Sequence, residues 1–470
     1  MIFLSTSDNN LGKSFSQMGC ALGAEKTACR DLSRIANASL GELSKSNQNL
    51  IVFPKILGAN KDDIDKLPLF TMAGSGEGEA ELAKVKVTTG NLMGFVGSGE
   101  TQLEITSRFT PHELGDLKED FFLHYMLEKV FALNLFDLKH LSGSGTFDFL
   151  LFLFPSYLQK ALTQGIYKTY QSFQKNDANL KGGVDVSRHI KENIPFRGRI
   201  SYNTRERTSD NDMTELIRHT IEVIKTKPIG KTVLFRNEEI RRAVETIVAA
   251  TPSYNSNARE RIISKNAKPV NHAFYTAYRP LQKLCLAILR HEKLKYGSNS
   301  KQIYGILFDG AWLWEEYLAT ILTKCNLKHP RNKESLGGIR MFEKSDDELS
   351  CVNNGRKIYP DFYRKNDDSG KGGCILDAKY KHLQNGVSRE DLYQIVTYMH
   401  TMKISNGGFI YPFPVSDSHP DLERKTFKLA GLGGFVDTIG FPIPQNTKNY
   451  ESFTELMKKN ETELMSICNY

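Results

Sequence analysis

The chain has 470 residues, 62 of them Lys or Arg against 54 Asp or Glu, for a formal net charge of +8. With 40% hydrophobic and 25% charged residues, it has an ordinary globular composition, and its length suggests about two to four domains. The mixed, mildly basic surface permits a nucleic-acid partner without demanding one.

Seven cysteines, Cys20, Cys29, Cys285, Cys325, Cys351, Cys374 and Cys468, form no CxxC pair. That argues against a zinc knuckle or redox dithiol and suits a reducing compartment. The start, "MIFLSTSDNN", lacks a basic segment before its apolar run and is a poor signal peptide. The longest apolar run, "FDFLLFLFP" from Phe147 to Pro155, is about half the length of a membrane span. The expectation is a cytoplasmic protein.

The first 90 residues mix short apolar strings with turns. "GSGEGEAELAK" (74–84) is the expected connector. In "GNLMGFVGSGETQLEITSRF" (90–109), two strands flank "GSGE" as a hairpin. "LKEDFFLHYMLEKVFAL" (117–133) reads as an amphipathic helix with Phe121, Met126 and Val130 toward the core. Residues 145–165 read as helix with a kink or break at Pro155.

"IYKTYQSFQ" and "LKGGVDVS" read as strands, followed by a basic segment and a helix that "SDNDMTE" caps. Further helices are expected over 236–250 and 274–295. The last third brings a helix (311–326), a strand pair, a helix (388–402) with Ser388 and Asp391 spaced as a capping box, apolar strands over 407–414 and 427–442, and a terminal helix (449–465). Helix, strand, strand, helix, strand is an α/β order with its own core. The boundary is set near residue 290, with an N-terminal extension over 1–90 as an accessory or DNA-contacting module, a middle region over 91–290, and a C-terminal domain over 291–470.

The chemistry concentrates in "YPDFYRKNDDSGKGGCILDAKYK" (359–381). Period two turns Asp377 and Lys379 to one face of a strand, with Leu376 and Ala378 on the other. Asp361 can lie opposite on the neighbouring strand. Asp361 and Asp377 would hold a hard divalent metal, preferably magnesium with waters retained. Lys379 would orient or help deprotonate an attacking water and oppose charge growing on phosphorus. The plainer alternative is a cross-strand ion pair of Asp361 with Lys379 beside a solvated Asp377.

With "PD" at Pro360–Asp361 and "DAK" at Asp377–Lys379, the stretch resembles the PD-(D/E)xK nuclease superfamily. The resemblance implies phosphodiester hydrolysis with Mg2+, for which Mn2+ is a substitute, in a C-terminal restriction-endonuclease-like α/β domain behind a mixed α+β N-terminal region. It also implies an acid on the helix before the sheet, for which Glu315 in "WLWEEYL" is chosen over Glu316 as a third metal ligand. Gln394 in "DLYQIVTYM" looks like the glutamine some of these nucleases place near the site.

More narrowly, "DLYQIVTYMHTMKISNGGFIYPFP", "GIYKTYQ", "LKGGVDVSRHI", "ENIPFRGRISYN" and the 90–109 hairpin are similar in order and spacing to the McrC family, over about residues 90–450. That family is the endonuclease subunit of methylcytosine-dependent restriction systems. The resemblance implies double-stranded DNA as substrate and a hexameric AAA+ GTPase partner of the McrB type. GTP would be used only through that partner, which the region over 91–290 would bind. A cytosine methyltransferase accompanies some systems of this organisation. The 90-residue start departs from the short members. Alternatives are a non-cleaving adaptor of the motor and a nuclease of a type II-like system cutting an unmethylated site.

"LGKS" at Leu11–Ser14 lacks the first glycine of a phosphate-binding loop, since position 7 is Ser7. Arg197, Arg199, Arg205 and Arg207 alternate in "FRGRISYNTRER". A strand there would put Arg197 and Arg199 on one face, toward DNA phosphates, toward a nucleotide in the partner ring, or simply toward solvent.

Overall fold

The computed structural model describes residues 2–47, 50–54, 65–74, 82, 84–110, 120–131, 145–227, 230–235, 238–296, 303–330, 337–342, 356–366, 372–381, 383, 386–416, 421–431 and 433–468. The expected 74–84 connector lies almost wholly outside them, as does Cys351. The chain divides into two compact units, one of Met1–His140 with Asn299–Tyr470 and one of Leu141–Ser298.

In the first unit, the apolar start is a strand, β1 (Ile2–Ser7), followed by β2 (Leu50–Phe53), β3 (Phe70–Ala73), β4 (Lys86–Thr89), β5 (Leu92–Ser98) and β6 (Thr101–Thr106). β5 and β6 are the expected hairpin, paired antiparallel from Gly94–Ile105 to Ser98–Thr101. Its turn needs glycine twice over. Gly99 has φ +62, and a Cβ there would meet the Asp31 carboxylate at 2.6 Å, whose Oδ2 accepts the Glu100 N–H at 2.9 Å. β1 runs parallel to β6, while β3 and β4 pair with each other. Lys13 of "LGKS" bridges Val87, and the element directly after it is a 3-10 turn at Ser16–Met18, with the next α-helix starting only at Glu25. The helix a phosphate-binding loop would open is not there.

The remaining strand of this sheet comes from far along the chain, at Ile303–Asp309, giving the order β1-β6-β5-(303–309)-β2. It lies so close to β5 that a Cβ on Gly94, φ +121, would stand 2.1 Å from the Ile306 carbonyl oxygen. Gly94→Ala is expected to lower stability by roughly 2–5 kcal/mol, through left-handed strain plus backbone clash. Thermal melting would read this, and an unchanged melting temperature would contradict the register.

Helix α1 (Phe121–Phe131) buries Phe122, Tyr125, Met126 and Leu127. Phe121 and Val130, expected inside, are half-buried. The stripe rotates because Tyr125 has a buried partner: its hydroxyl donates to Glu461 Oε1 at 2.8 Å, so the ring can sink without stranding a polar atom.

In the second unit, Gly145–Leu162 is a single helix running through Pro155. β7 (Thr169–Asp177), β8 (Gly183–Val184) and β9 (Ile200–Thr208) form a sheet in the order β7-β9-β8. A helix at Val186–Asn193 occupies part of the basic segment. The next helix, Asp212–Lys225, starts at Asn211, whose side chain accepts from the Met213 and Thr214 N–H groups in a capping box. Helices at Glu238–Ala250 and Tyr278–Tyr296 follow.

Back in the first unit, β10 (Ile303–Asp309) leads straight into α2 (Gly310–Leu322), capped by Asp309 Oδ1 accepting from the Ala311 N–H at 3.0 Å. β11 (Ile339–Arg340) pairs with β12 (Lys357–Ile358). Then come β13 (Phe362–Arg364), β14 (Cys374–Ala378), α3 (Arg389–Met402), β15 (Asn406–Val415), β16 (Glu423–Lys428), β17 (Phe435–Pro444) and α4 (Tyr450–Cys468). The second sheet has the order β13-β14-β15-β17-β16. Its three central strands are parallel and both edges antiparallel, so the central strands carry near-continuous apolar runs. The chain is thus a mixed α/β protein. α3 packs Ile395, Tyr398 and Met399 against Ile375, Phe409 and Val436 of one face. Near the other, Trp314 donates to the Ile410 carbonyl at 3.4 Å and meets the Phe441 ring edge-on at 5.8 Å. No helix among the described residues is long and apolar enough to cross a membrane.

Candidate functional site

β13 and β14 pair Phe362 with Leu376. Continued by one residue, that register sets Asp361 opposite Asp377, the two carboxylates on adjacent strands expected from period two. Asp361 does not merely face solvent: its Oδ2 accepts the Ala378 N–H at 2.8 Å, which ties the head of β13 to the end of β14. Lys379 continues the ladder beyond β14, its N–H donating to the Ile410 carbonyl at 2.9 Å.

The Lys379 ammonium stands 2.6 Å from Asp377 Oδ2 and 3.0 Å from Asp391 Oδ1, and donates to Gln394 Oε1 at 3.1 Å. Lysine therefore turns to Asp377 and to the first two turns of α3, rather than forming the cross-strand pair with Asp361. Asp377 is 3% exposed, not solvated. Its contact with Lys379 is a short ion pair outside hydrogen-bond geometry, so Oδ2 accepts no directed bond. Burial pushes the Asp377 carboxyl up, and Lys379 pulls back only in part. Burial also works against the Lys379 charge, but Asp377 and Asp391 outweigh it and hold the ammonium above the usual lysine value.

Asp391 and Lys381 complete the cluster. Lys381 Nζ lies 2.5 Å from Asp391 Oδ2, which also accepts the Ser388 hydroxyl at 2.7 Å. The Ser388 oxygen in turn accepts the Asp391 N–H at 3.2 Å. Burial would raise Asp391, but the hydrogen bonds from Lys381, Ser388 and Lys379 prevail and hold it at about 2. Spacing alone marks Asp391 only as a helix-cap residue. Its contact with Lys379, twelve residues earlier and just past β14, is a product of packing.

Glu315 and Glu316 reach His329 from α2. His329 Nδ1 is 4.0 Å from Glu315 Oε1, and Nε2 is 3.5 Å from Glu316 Oε1. Nδ1 also lies 3.0 Å from the Asp361 carbonyl oxygen, and the ring stacks on Phe362 at 4.9 Å. Burial lowers the His329 pKa, but the Glu316 and Asp361 contacts win and raise it. Asp361, Asp377 and Glu315 are not gathered into one ligand cluster. Among the described residues, no group of three His, Cys, Asp or Glu side chains could hold a metal ion. Gln394 does arrive at the site: its amide donates to Tyr398 OH at 2.8 Å while its oxygen accepts from Lys379.

The donor chemistry fits a hard divalent cation. Asp377 Oδ2 is a buried carboxylate oxygen whose close neighbour is a cation, and Asp361 supplies a second carboxylate opposite. Two carboxylates with retained waters are a common way to hold magnesium.

The residue after Lys379 anchors the strand end. Tyr380 is 4% exposed; its hydroxyl lies 3.2 Å from Ser107 Oγ and 3.3 Å from Met93 Sδ. Arg108 lies over its ring at 4.8 Å and is itself held by Asp8 Oδ2 at 2.7 Å. A Cβ on Gly310 would stand 2.7 Å from that ring, so glycine lets α2 and Tyr380 pack together.

In the second unit, Arg197 and Arg199 are exposed but precede β9, around Gly198 with φ +77. They share no strand face, because the left-handed turn interrupts the alternation. Arg205 and Arg207 do alternate on β9, opposite Ser172 and Tyr170. Arg205 lies over the Tyr170 ring at 5.3 Å and Arg207 donates to Tyr275 OH at 3.4 Å. In the same sheet-and-helix segment, Val184, Val186, Ile190, Ile194 and Phe196 are exposed.

The family model described as McrBC 5-methylcytosine restriction system component matches residues 87–412, well over half of the chain. No curated protein matches it. Among solved structures, the chain is similar to a refined half-complex from the tetradecameric assembly of Thermococcus gammatolerans McrB AAA+ hexamers with bound McrC. Identity is 14% and the TM-score 0.47, with 97% of this chain and 99% of that chain covered. A cryo-EM structure of the Thermococcus gammatolerans McrBC complex is similar at 15% identity and TM-score 0.34, covering 70% of this chain and 89% of that one.

Proposed function

This chain belongs to the McrBC 5-methylcytosine restriction system component family, and from that premise we propose that it is the subunit that cuts DNA. The site is read as a PD-(D/E)xK nuclease centre that hydrolyses phosphodiesters with magnesium. The observation supporting this is the meeting of Asp361, Asp377 and Lys379 at one end of a paired β13 and β14.

In this reading Asp361 and Asp377 would hold the ion, which when bound would supply Lewis-acid polarisation of the phosphate and a more acidic water. Lys379 holds the attacking water in line and opposes charge developing on the phosphate oxygens. Gln394 orients the ammonium through its amide oxygen. Glu315 and Glu316 act from behind, steadying His329 against the Asp361 carbonyl and the Phe362 ring.

Recognition and movement are assigned to a GTP-hydrolysing AAA+ partner of the McrB type. The exposed apolar side chains of 184–196, beside Arg197 and Arg199, favour the second unit as its docking face, since exposed apolar groups rimmed by charge mark interaction sites. The reading is tested with the full chain, that partner, GTP and duplex plasmid. Cleavage is expected only with magnesium or manganese, and Asp377→Asn should abolish it while partner GTP turnover persists. Wild-type cleavage by Asp377→Asn would overturn the assignment.

A further inference from the structure

We infer that Asp391 is a positioning residue, the counter-ion that keeps Lys379 in place when Asp377 turns to a divalent cation. The inference rests on the metal-dependent reading above. Lys379 is held between two carboxylates on different elements, Asp377 on β14 at 2.6 Å and Asp391 on α3 at 3.0 Å. The ammonium and a metal ion would compete for the Asp377 carboxylate, because two cations beside one buried carboxylate repel strongly. An ammonium with no other anion in reach would resist that exchange.

Asp391 supplies the other anion, and it is fixed beforehand. The Ser388 hydroxyl and Lys381 both bind its Oδ2, leaving Oδ1 for Lys379. It stands in the first turn of α3, where exposed backbone N–H groups favour negative charge. Two aspartates and two lysines balance in charge without a metal. With a cation on Asp377, Lys379 and Lys381 still share Asp391, and Lys379 keeps its bond to Gln394.

Calcium binding to the full chain, followed by calorimetry in the absence of DNA, reads this without turnover. Asp391→Asn should weaken calcium binding about tenfold, because Lys379 then leans on Asp377 alone. Lys379→Met should bind calcium more tightly than wild type, and Asp391→Asn placed on that background should cost little more. Ser388→Ala removes the helix cap but leaves the Asp391 charge, so its calcium affinity should stay within about twofold of wild type. Wild-type affinity in Asp391→Asn, or an equal loss with and without Lys379, would overturn the inference. If Asp391→Asn does not fold, a failure of Lys379→Met to tighten calcium binding overturns it instead. A wild-type chain that neither binds calcium nor cleaves with magnesium would overturn the metal-dependent reading itself, whereas magnesium-dependent cleavage with unchanged Asp391→Asn affinity would sink only the role of Asp391.

Discussion

Lys379→Ala is expected to lower magnesium-dependent DNA cleavage by about two to three orders of magnitude or more, since charge stabilisation and water positioning are lost together. The Asp361 and Asp377 carboxylates, proposed to hold the metal, remain. The backbone should hold, because Lys379 bonds to β15 through its N–H and Leu376 keeps its buried side. The substitution still has a structural consequence: Asp377, 3% exposed, loses the ammonium that balances it. Removing one member of a buried pair is costly, so the variant should melt below wild type without metal and recover when magnesium is added. Partner binding, proposed for the second unit, and the partner's GTP turnover should change little. Cleavage and GTP turnover would be recorded on the same samples. Undiminished cleavage would remove Lys379 from the site, and an equal loss of both activities would point to misfolding or to a coupling between cleavage and GTP turnover.

Tyr380→Ala is expected to destabilise the first unit by about 3–5 kcal/mol, the usual cost of truncating a buried aromatic. For a unit of this size that means a melting temperature roughly ten degrees lower. The ring is enclosed by Phe109, edge-on at 5.4 Å, by Arg108 at 4.8 Å and by Met93. Those residues come from the open end of the β5–β6 hairpin, whereas Tyr380 directly follows Lys379. Cleavage should therefore fall as well, because the end of β14 loses its anchor. Tyr380→Phe deletes only the hydroxyl contacts with Ser107 and Met93, and should cost about 1 kcal/mol with most activity retained. A Tyr380→Ala protein that melts and cuts like wild type would show that the anchor is dispensable.

Period two and turn composition marked β14 and β15 of the C-terminal sheet, but ran the end of β16 and most of β17, which the structure separates into an antiparallel pair, together as one strand over 427–442. Asp361 and Asp377 were set on facing strands, Ser388 at a helix cap, and Leu92–Ser98 and Thr101–Thr106 in a hairpin, because these features depend on neighbours within a few residues. Helix α1 was legible as an element but not in its buried face, since Tyr125 sinks only where Glu461, more than three hundred residues away, accepts its hydroxyl. Arg197 and Arg199 show the opposite failure: an alternating pattern was present, but Gly198 turns the backbone left-handed between them. What tertiary structure decided is every contact between distant segments. β10 enters the sheet of β1, β2, β5 and β6, and α3 brings Asp391 to Lys379. Local periodicity records which way a side chain points from its own strand or helix, but not which distant charge will be packed against it. Asp391 could therefore be read as a cap from its spacing, and as the partner of the lysine only once the helix lay on the sheet.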